Sequence, residues 1–439
     1  MPRIYNFEYG ILGGYLCIHK LTEVAMIEYI ERLLQGAEVQ WKTLGEVADI
    51  VGRIGFRGYT NKDFVEKQQG AITISPANIK NQSLIIDNTC KYISWEKYEE
   101  SPEIKVEVGD ILLAKTASVG KVALVNSLEY PATINPQLVL LKRCKILPAY
   151  LCYYMTSFAF QNNLRRNTSS GTVPNISQSL IKKLLIPIPP LEVQREIVRI
   201  LDKFTELEAE LEAELECRRK QYGYYRDKLL SEKYLLARGK VEWRTLGEVG
   251  EFIRGSGLQK SDLTTEGVPA IHYGQIYTYY GTYTEKTKSY VSEIFATKKR
   301  KASYGDLIIA TTSENDEDVC KAVAWLGKSE VVVSSDACFY HHCMVPKYIS
   351  YFFQTDIFQL QKRNYITGTK VRRVNANDLA KIKIPIPPLE VQEEIVRILD
   401  KFDTLTTSIS EGLPREIELR RKQYEYYRER LLSFDNDNA

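Results

Sequence analysis

Nineteen residues recur almost unchanged in this chain. Ile186–Phe204 reads IPIPPLEVQREIVRILDKF and Ile384–Phe402 reads IPIPPLEVQEEIVRILDKF, with Arg195 against Glu393 as the one difference. Two more stretches keep the same spacing. Arg218–Ser231 (RRKQYGYYRDKLLS) returns as Arg420–Ser433 (RRKQYEYYRERLLS), and Val39–Val47 (VQWKTLGEV) returns as Val241–Val249 (VEWRTLGEV). A period of about 200 residues far exceeds the roughly 20–50 of a solenoid unit. The pattern therefore describes tandem duplication of a whole domain plus a helical segment, and a duplicated device implies two similar tasks.

At 439 residues the chain holds two to three domains, each long enough to bury its own core. No apolar run approaches the roughly 20 residues needed to span a bilayer. Glu8 and scattered tyrosines spoil a signal-peptide core in the first twenty residues. The eight cysteines (Cys17, Cys90, Cys144, Cys152, Cys217, Cys320, Cys338, Cys343) contain no CxxC pair. They read as reduced, mostly buried thiols, which places the protein in the cytoplasm. The net charge of +3 is unevenly divided. Residues 37–185 carry 18 Lys and Arg against 13 Asp and Glu, and residues 239–383 carry 20 against 16. Residues 186–238 (10 against 11), 384–439 (8 against 12) and 1–36 (3 against 4) are mildly acidic. Positive globular segments with negative connectors suit a polyanionic partner.

The Pro-rich run Ile186–Pro190 cannot enter a helix interior and ends a domain. Beyond it Ile197, Leu201, Phe204, Leu207, Leu211, Leu215, Tyr222, Tyr225 and Leu229 fall at helical spacing. This predicts one amphipathic helix over 191–236. The second copy runs Ile395, Leu399, Phe402, Leu405, Ile409, Leu413, Ile417, Tyr424, Tyr427, Leu431. It should break at Gly412-Leu413-Pro414 and restart with Pro414 in the first turn. Each helix is the natural partner of the other, which gives an antiparallel coiled coil and a pseudo-twofold, cyclic arrangement. Ile27–Leu34 resembles Gly223–Leu230, so the first globular segment also starts from a helix end. Within the globular segments TLGEV (Thr43–Val47, Thr245–Val249) and the runs Gly109–Ala114 and Gly305–Ala310 read as short strands and turns. Between these landmarks the two copies diverge.

The duplicated IPIPPLEVQ…EIVRILDKF, with its trailing RRKQY-x-YYR-x-x-LLS, resembles the specificity subunit of type I restriction–modification enzymes. The likeness covers nearly the whole chain from about residue 20. It implies an α/β (α+β) fold with two target-recognition domains, 37–185 and 239–383, each reading half of a split double-stranded DNA sequence. Helical spacer regions 186–238 and 384–439 would separate them and dock two adenine-N6 methyltransferase subunits, which translocase–nuclease (restriction) subunits then join. Residues 1–36 form an N-terminal arm and helix; residues 1–20 match no family feature and read as an appended arm or an over-long gene start. The resemblance implies no catalytic residue, metal or cofactor in this chain.

DNA contacts are expected in the divergent loops. In the first domain these are Arg53, Arg57 and Tyr59; Lys115, Thr116 and Ser118; Asn135 and Gln137; and Arg165, Arg166 and Thr172. The second domain offers Arg254; His272, Tyr273, Gln275 and Tyr277; Thr312, Ser313 and Asn315; and Lys370, Arg372 and Arg373. Arg and Lys can bind guanine or phosphate, Asn and Gln can pair with adenine, and Ser or Thr can do either. The bland alternative is solvated loops. Glu314, Asp316, Glu317 and Asp318 suit a metal or a cytosine amino group equally. Clustered tyrosines on the helices should face a partner, and those at 277–283 should reach phosphates.

Catalytic readings are weak. Ala322–Ser329 (AVAWLGKS) ends like a phosphate loop but lacks its first glycine, and reads as a strand and turn. Asn135-Pro136-Gln137 resembles the Asn-Pro-Pro-aromatic loop of adenine methyltransferases without the second proline and the ring. His341, His342 and Cys343 have no matching pair at zinc spacing. The rivals to a DNA reader are a coiled-coil scaffold whose globular ends bind protein, and a self-sufficient methyltransferase or nuclease.

Overall fold

The computed structural model describes residues 25–53, 58–169, 171–408 and 411–434. Residues 1–24, including the arm expected at 1–20, lie outside them, as do Arg57, Ser170 and Ile409. The chain divides into two compact units, residues 1–208 with 420–439 and residues 209–419. Among the described residues no helix is long and apolar enough to cross a membrane.

In the first unit Gln40–Thr43 pairs antiparallel with Leu185–Ile188, so the two ends of the globular segment close on each other. A six-stranded sheet runs in the order Asp49–Val51, Leu138–Lys142, Ile111–Ala114, Val122–Leu124, Ser83–Leu84, Ile79–Lys80. A four-stranded sheet is built from Ala132–Ile134, Gly70–Ile74, Lys91–Ser94 and Phe64–Val65. Ile111 and Leu113 face a core containing Tyr150, Leu151, Ile197 and Leu201, while Leu112 and Ala114 face one containing Ile72 and Ile134. A strand covered on both faces reads as an unbroken apolar run, which explains ILLA. Gly109 introduces it at φ +93°, where an L side chain would be strained.

The second unit repeats the plan. Glu242–Thr245 pairs with Lys383–Ile386, and Leu307–Ala310 splits its side chains between two cores in the same way. Gly305 adopts φ +93° at the position matching Gly109. The phosphate-loop look-alike is strand Ala322–Trp325 followed by a bend at 328–329. One sequence expectation is corrected in both units. Leu44–Val47 and Leu246–Val249 are single helical turns, because Thr43 and Glu46, and Thr245 and Glu248, form reciprocal capping boxes.

The repeated nineteen residues splice each globular segment to its helix. Gln194 and Gln392 are 3% and 2% exposed. Gln194 Nε2 donates to Pro189 O (2.8 Å) while its Oε1 accepts from Leu147 N (3.1 Å). Gln392 does the same with Pro387 O (2.9 Å) and Val345 N (3.0 Å). Tyr150 and Tyr348 donate to the carbonyls of Pro187 (2.9 Å) and Pro385 (2.8 Å). Tyr153 donates to Asp202 and Tyr351 to Asp400, both at 2.6 Å. Near identity of the two copies follows from this one-to-one reuse of buried polar contacts, each costly to leave unmade.

The first spacer helix covers Leu191–Leu229, and a separate turn, Glu232–Leu236, is capped by Ser231. The expected single helix to residue 236 is thus interrupted at 230–231. In the first unit Phe204 packs on Tyr427 (5.4 Å) and Glu208 meets Arg421, so the two helices run antiparallel. In the second, Tyr225 stacks on Phe402 (5.4 Å) and Arg238 pairs with Glu394 (2.9 Å), again antiparallel. Helices Leu389–Thr407 and Leu413–Leu431 place the break and Pro414 as the sequence predicts. Gly412 has φ +88°, and a Cβ there would come within 2.4 Å of Thr404 O. Helix 25–34 ahead of the first segment buries Ile30 fully in that unit's core.

Candidate nucleic-acid interface

In each unit the unlike segments converge on one turn. Around Ile134–Gln137 of the first unit, Lys115 N donates to Gln137 O (2.8 Å) and Arg53 Nε to Ile134 O (3.3 Å). Thr116 Oγ1 donates to Asn175 Oδ1 (2.7 Å), and Ser169 N to Asn175 O (2.9 Å), which draws in the 165–175 segment. Around Val333–Asp336 of the second unit, Ser256 N donates to Val333 O (2.8 Å) and Tyr273 N to Ser334 Oγ (2.8 Å). Thr311 N and Oγ1 both donate to Asp336 O (3.0 and 2.9 Å). Thr312–Ser313 then pairs with Arg372–Arg373, so all four nominated segments meet.

Their side chains divide into two groups. Arg53 is 7% exposed; its guanidinium reaches Thr133 Oγ1 (3.2 Å) and lies over the Tyr59 ring. Tyr59 itself bonds Thr73 Oγ1 (3.1 Å). Arg53 is thus turned inward, and Tyr59 is half-buried beside it. His272 is buried and caps helix Tyr273–Thr278, its Nδ1 accepting from Gly274 N (3.2 Å); burial lowers its pKa. Gln275 is engaged by Ser289 Oγ (2.6 Å) and by His272 N. Tyr277 donates to Thr312 O (2.7 Å), and its burial raises the phenol pKa. Asn135 and Gln137 bond each other (3.0 Å), as do Asn315 and Asp318 (2.8 Å). Arg372 Nε pairs with Asp316 Oδ1 (2.8 Å), and its Nη1 donates to Gly368 O (2.6 Å). Thr312 is 9% exposed. Apart from exposed Asn315, these residues shape the loops instead of projecting from them.

The other group projects. Arg165, Arg166, Thr172, Arg254, Lys370 and Arg373 are exposed, and Lys115, Ser118, Tyr273 and Ser313 are half-buried. Lys115, Arg165, Arg166, Lys370 and Arg373 make no ion pair among the described residues, so their charge stays available. Arg254 Nε donates to Ser335 O (3.2 Å). Of the tyrosines, Tyr279 is exposed, Tyr280 is buried, and Tyr224 and Tyr426 point to solvent at 61% and 50% exposure, while Tyr222 stacks on Phe402 of the partner helix and the Tyr424 hydroxyl meets Gln82. Among the described residues no group of His, Cys, Asp and Glu side chains could hold a metal ion. Of the described cysteines, Cys152, Cys320 and Cys338 are buried, whereas Cys217 and Cys343 are exposed.

Comparison with known proteins gives two matches to the type I restriction modification DNA specificity domain, at residues 37–217 and 239–419. The chain belongs to that specificity family. It is 33% identical over 427 residues to the EcoR124I/EcoR124II specificity subunit of Escherichia coli, covering 93% of this chain and 97% of the relative. A putative type I restriction enzyme specificity subunit of Haemophilus influenzae is 32% identical, at 92% and 98% coverage. A chain solved in a study of complex assembly and conformational transition of the type I R-M system shares the fold. Its TM-score is 0.57 at 16% identity, covering 92% of this chain and 99% of that one.

A family of DNA specificity domains directs attention to cations that the sequence reading passed over. Lys299 Nζ donates to Gly257 O (2.8 Å), and Arg300 reaches Ser256 Oγ through its N–H and Arg254 O through Nη1 (both 2.9 Å). The run Lys298–Lys301, four cations in succession, was the available signal. Lys121 and Lys321, at matching positions, tie to Pro76 O and Tyr277 O (both 3.2 Å).

Proposed function

We propose that this chain is the DNA-reading subunit of a type I restriction–modification complex. Residues 37–185 and 239–383 each read one half of a split target in double-stranded DNA, with unread bases between the halves. Segments 186–238 and 384–439 dock two methyltransferase subunits, which restriction subunits join. Catalysis belongs to those partners, and the complex works in the cytoplasm. One observation carries the reading: in each unit the segments that differ between copies gather on a single turn, while those that match build the core. Two readers with one scaffold and different targets need that division, because base recognition lies in side-chain identity and register lies in the frame. Lys115, Arg165, Arg166 and Thr172 in the first domain, and Arg254, Tyr273, Lys370 and Arg373 in the second, are the proposed contacts. The basic surplus of both globular segments favours DNA over protein at these ends. The test replaces residues 45–185 by the corresponding domain of a relative and maps methylated adenines made by the assembled complex. One half of the motif should change and the other should stay. Change in both halves, or in neither, overturns the assignment.

A further inference from the structure

Lys362 lies on helix Asp356–Arg363 at 1% exposure, a position where lysine is rarely found. Its Nζ donates to Glu317 O (3.0 Å) and Val319 O (2.9 Å), the carbonyls that close the loop 311–320. Burial pushes its pKa down, and Asp316 and Asp318 on the loop oppose that. The first unit solves the same problem differently. Leu164 occupies the matching helix position, fully buried, and Gln161 Nε2 donates to Gly120 O (2.9 Å). Gln359, matching Gln161, bonds Phe353 O (3.1 Å) as Gln161 bonds Met155 O (2.7 Å). Where the first unit has Gly120 at φ +94°, the second has Cys320 at φ +70°. That conformation is uncommon for a residue with a Cβ and must be held by its surroundings. Lys362 grips the residue just before it.

The loop in turn governs the exposed cations. Asp316 pairs with Arg372, Arg372 donates to Gly368 O, and the strand Arg372–Arg373 pairs with Thr312–Ser313. Displacing the 317–319 carbonyls would therefore release both the acidic loop and the strand that presents Arg373.

We propose that Lys362 is a specificity-positioning residue of the second recognition domain: without touching DNA, it holds the 311–320 loop and the 372–373 strand in their reading geometry. The inference rests on the DNA-reading assignment above. The experiment uses the full chain assembled with its methyltransferase subunits on a DNA library varied at every target base. With Lys362→Met, discrimination against single mismatches in the second half-site should fall about ten-fold, with the first half-site read as before. Amides of residues 314–319 should exchange faster in the variant. Unchanged discrimination at every base overturns the proposal, as does a uniform loss of methylation with the motif intact, which is what a merely structural role would give. The unaltered chain supplies a second measurement that needs no variant. Its 314–319 amides should be equally protected with and without DNA, and protection gained only on DNA binding refutes the positioning role. An unaltered complex that methylates no split motif would instead refute the DNA-reading assignment, whatever Lys362 does.

Discussion

Acid should weaken the second unit through one imidazole. His342 ends strand Ala337–His342, and its Nδ1 accepts from Met344 N (3.2 Å). Its Nε2 is buried without a partner among the described residues, and the ring lies 5.2 Å from that of Tyr340. Burial, then the neighbouring His341, lowers the pKa from 6.5 to about 4. Protonation would strip Met344 N of its acceptor and leave a charge in an apolar setting. Above pH 6.5 the ring is neutral folded and unfolded, so it costs nothing. Between about pH 6.5 and 4 the unfolded chain binds a proton that the folded one refuses, and stability falls with pH. At about 1.4 kcal/mol per pKa unit, the gap from 6.5 to about 4 caps the loss at about 3–4 kcal/mol. His342→Asn keeps an acceptor two residues before Met344 and removes the titration. With Trp41 and Trp95 replaced by Phe, fluorescence of Trp243 and buried Trp325 reports urea unfolding of the second unit. The variant and its parent, both in that background, are unfolded across the pH range. Their stability difference should shift by about 2–3 kcal/mol, in favour of the variant, between about pH 7 and 4.5. Parallel pH profiles would refute the argument.

Two other outcomes follow from the contacts. Gln392→Leu leaves Val345 N and Pro387 O unsatisfied in the interior; denaturant unfolding should show about 2–5 kcal/mol lost from the second unit. Arg165→Ala and Arg166→Ala should weaken binding to all DNA alike and reduce the salt slope by about one each, whereas Arg373→Ala should lose about 1–3 kcal/mol on the target alone. Titrations at several salt concentrations on target and random DNA separate the two behaviours, and identical behaviour of all three variants contradicts the division.

Much of the frame was legible in the residues themselves. Duplication of IPIPPLEVQ announced two equivalent units, the apolar stripe from Ile197 announced a long helix, and Gly412-Leu413-Pro414 announced the interruption of its second copy. These signals are local: periodicity, proline's missing N–H and glycine's access to positive φ act within a few residues. The capping boxes that turn TLGEV into a helical turn were also present in the sequence, as Thr and Glu three apart, but short strand and single-turn patterns overlap.

The candidate loops were found by their divergence, yet which of their side chains reach outward was not legible. Arg53 and Arg373 are chemically alike, and only the fold turns one toward Ile134 O, 81 residues away, and leaves the other exposed. Arg372 is engaged by Asp316, and Lys362 by carbonyls 43 and 45 residues distant. Sequence by itself determined the repeated scaffold, because its rules are set by neighbours along the chain. Tertiary structure alone decided which cations are free for a polyanion, because a guanidinium or ammonium goes to whichever acceptor the packed backbone brings within about 3 Å of it.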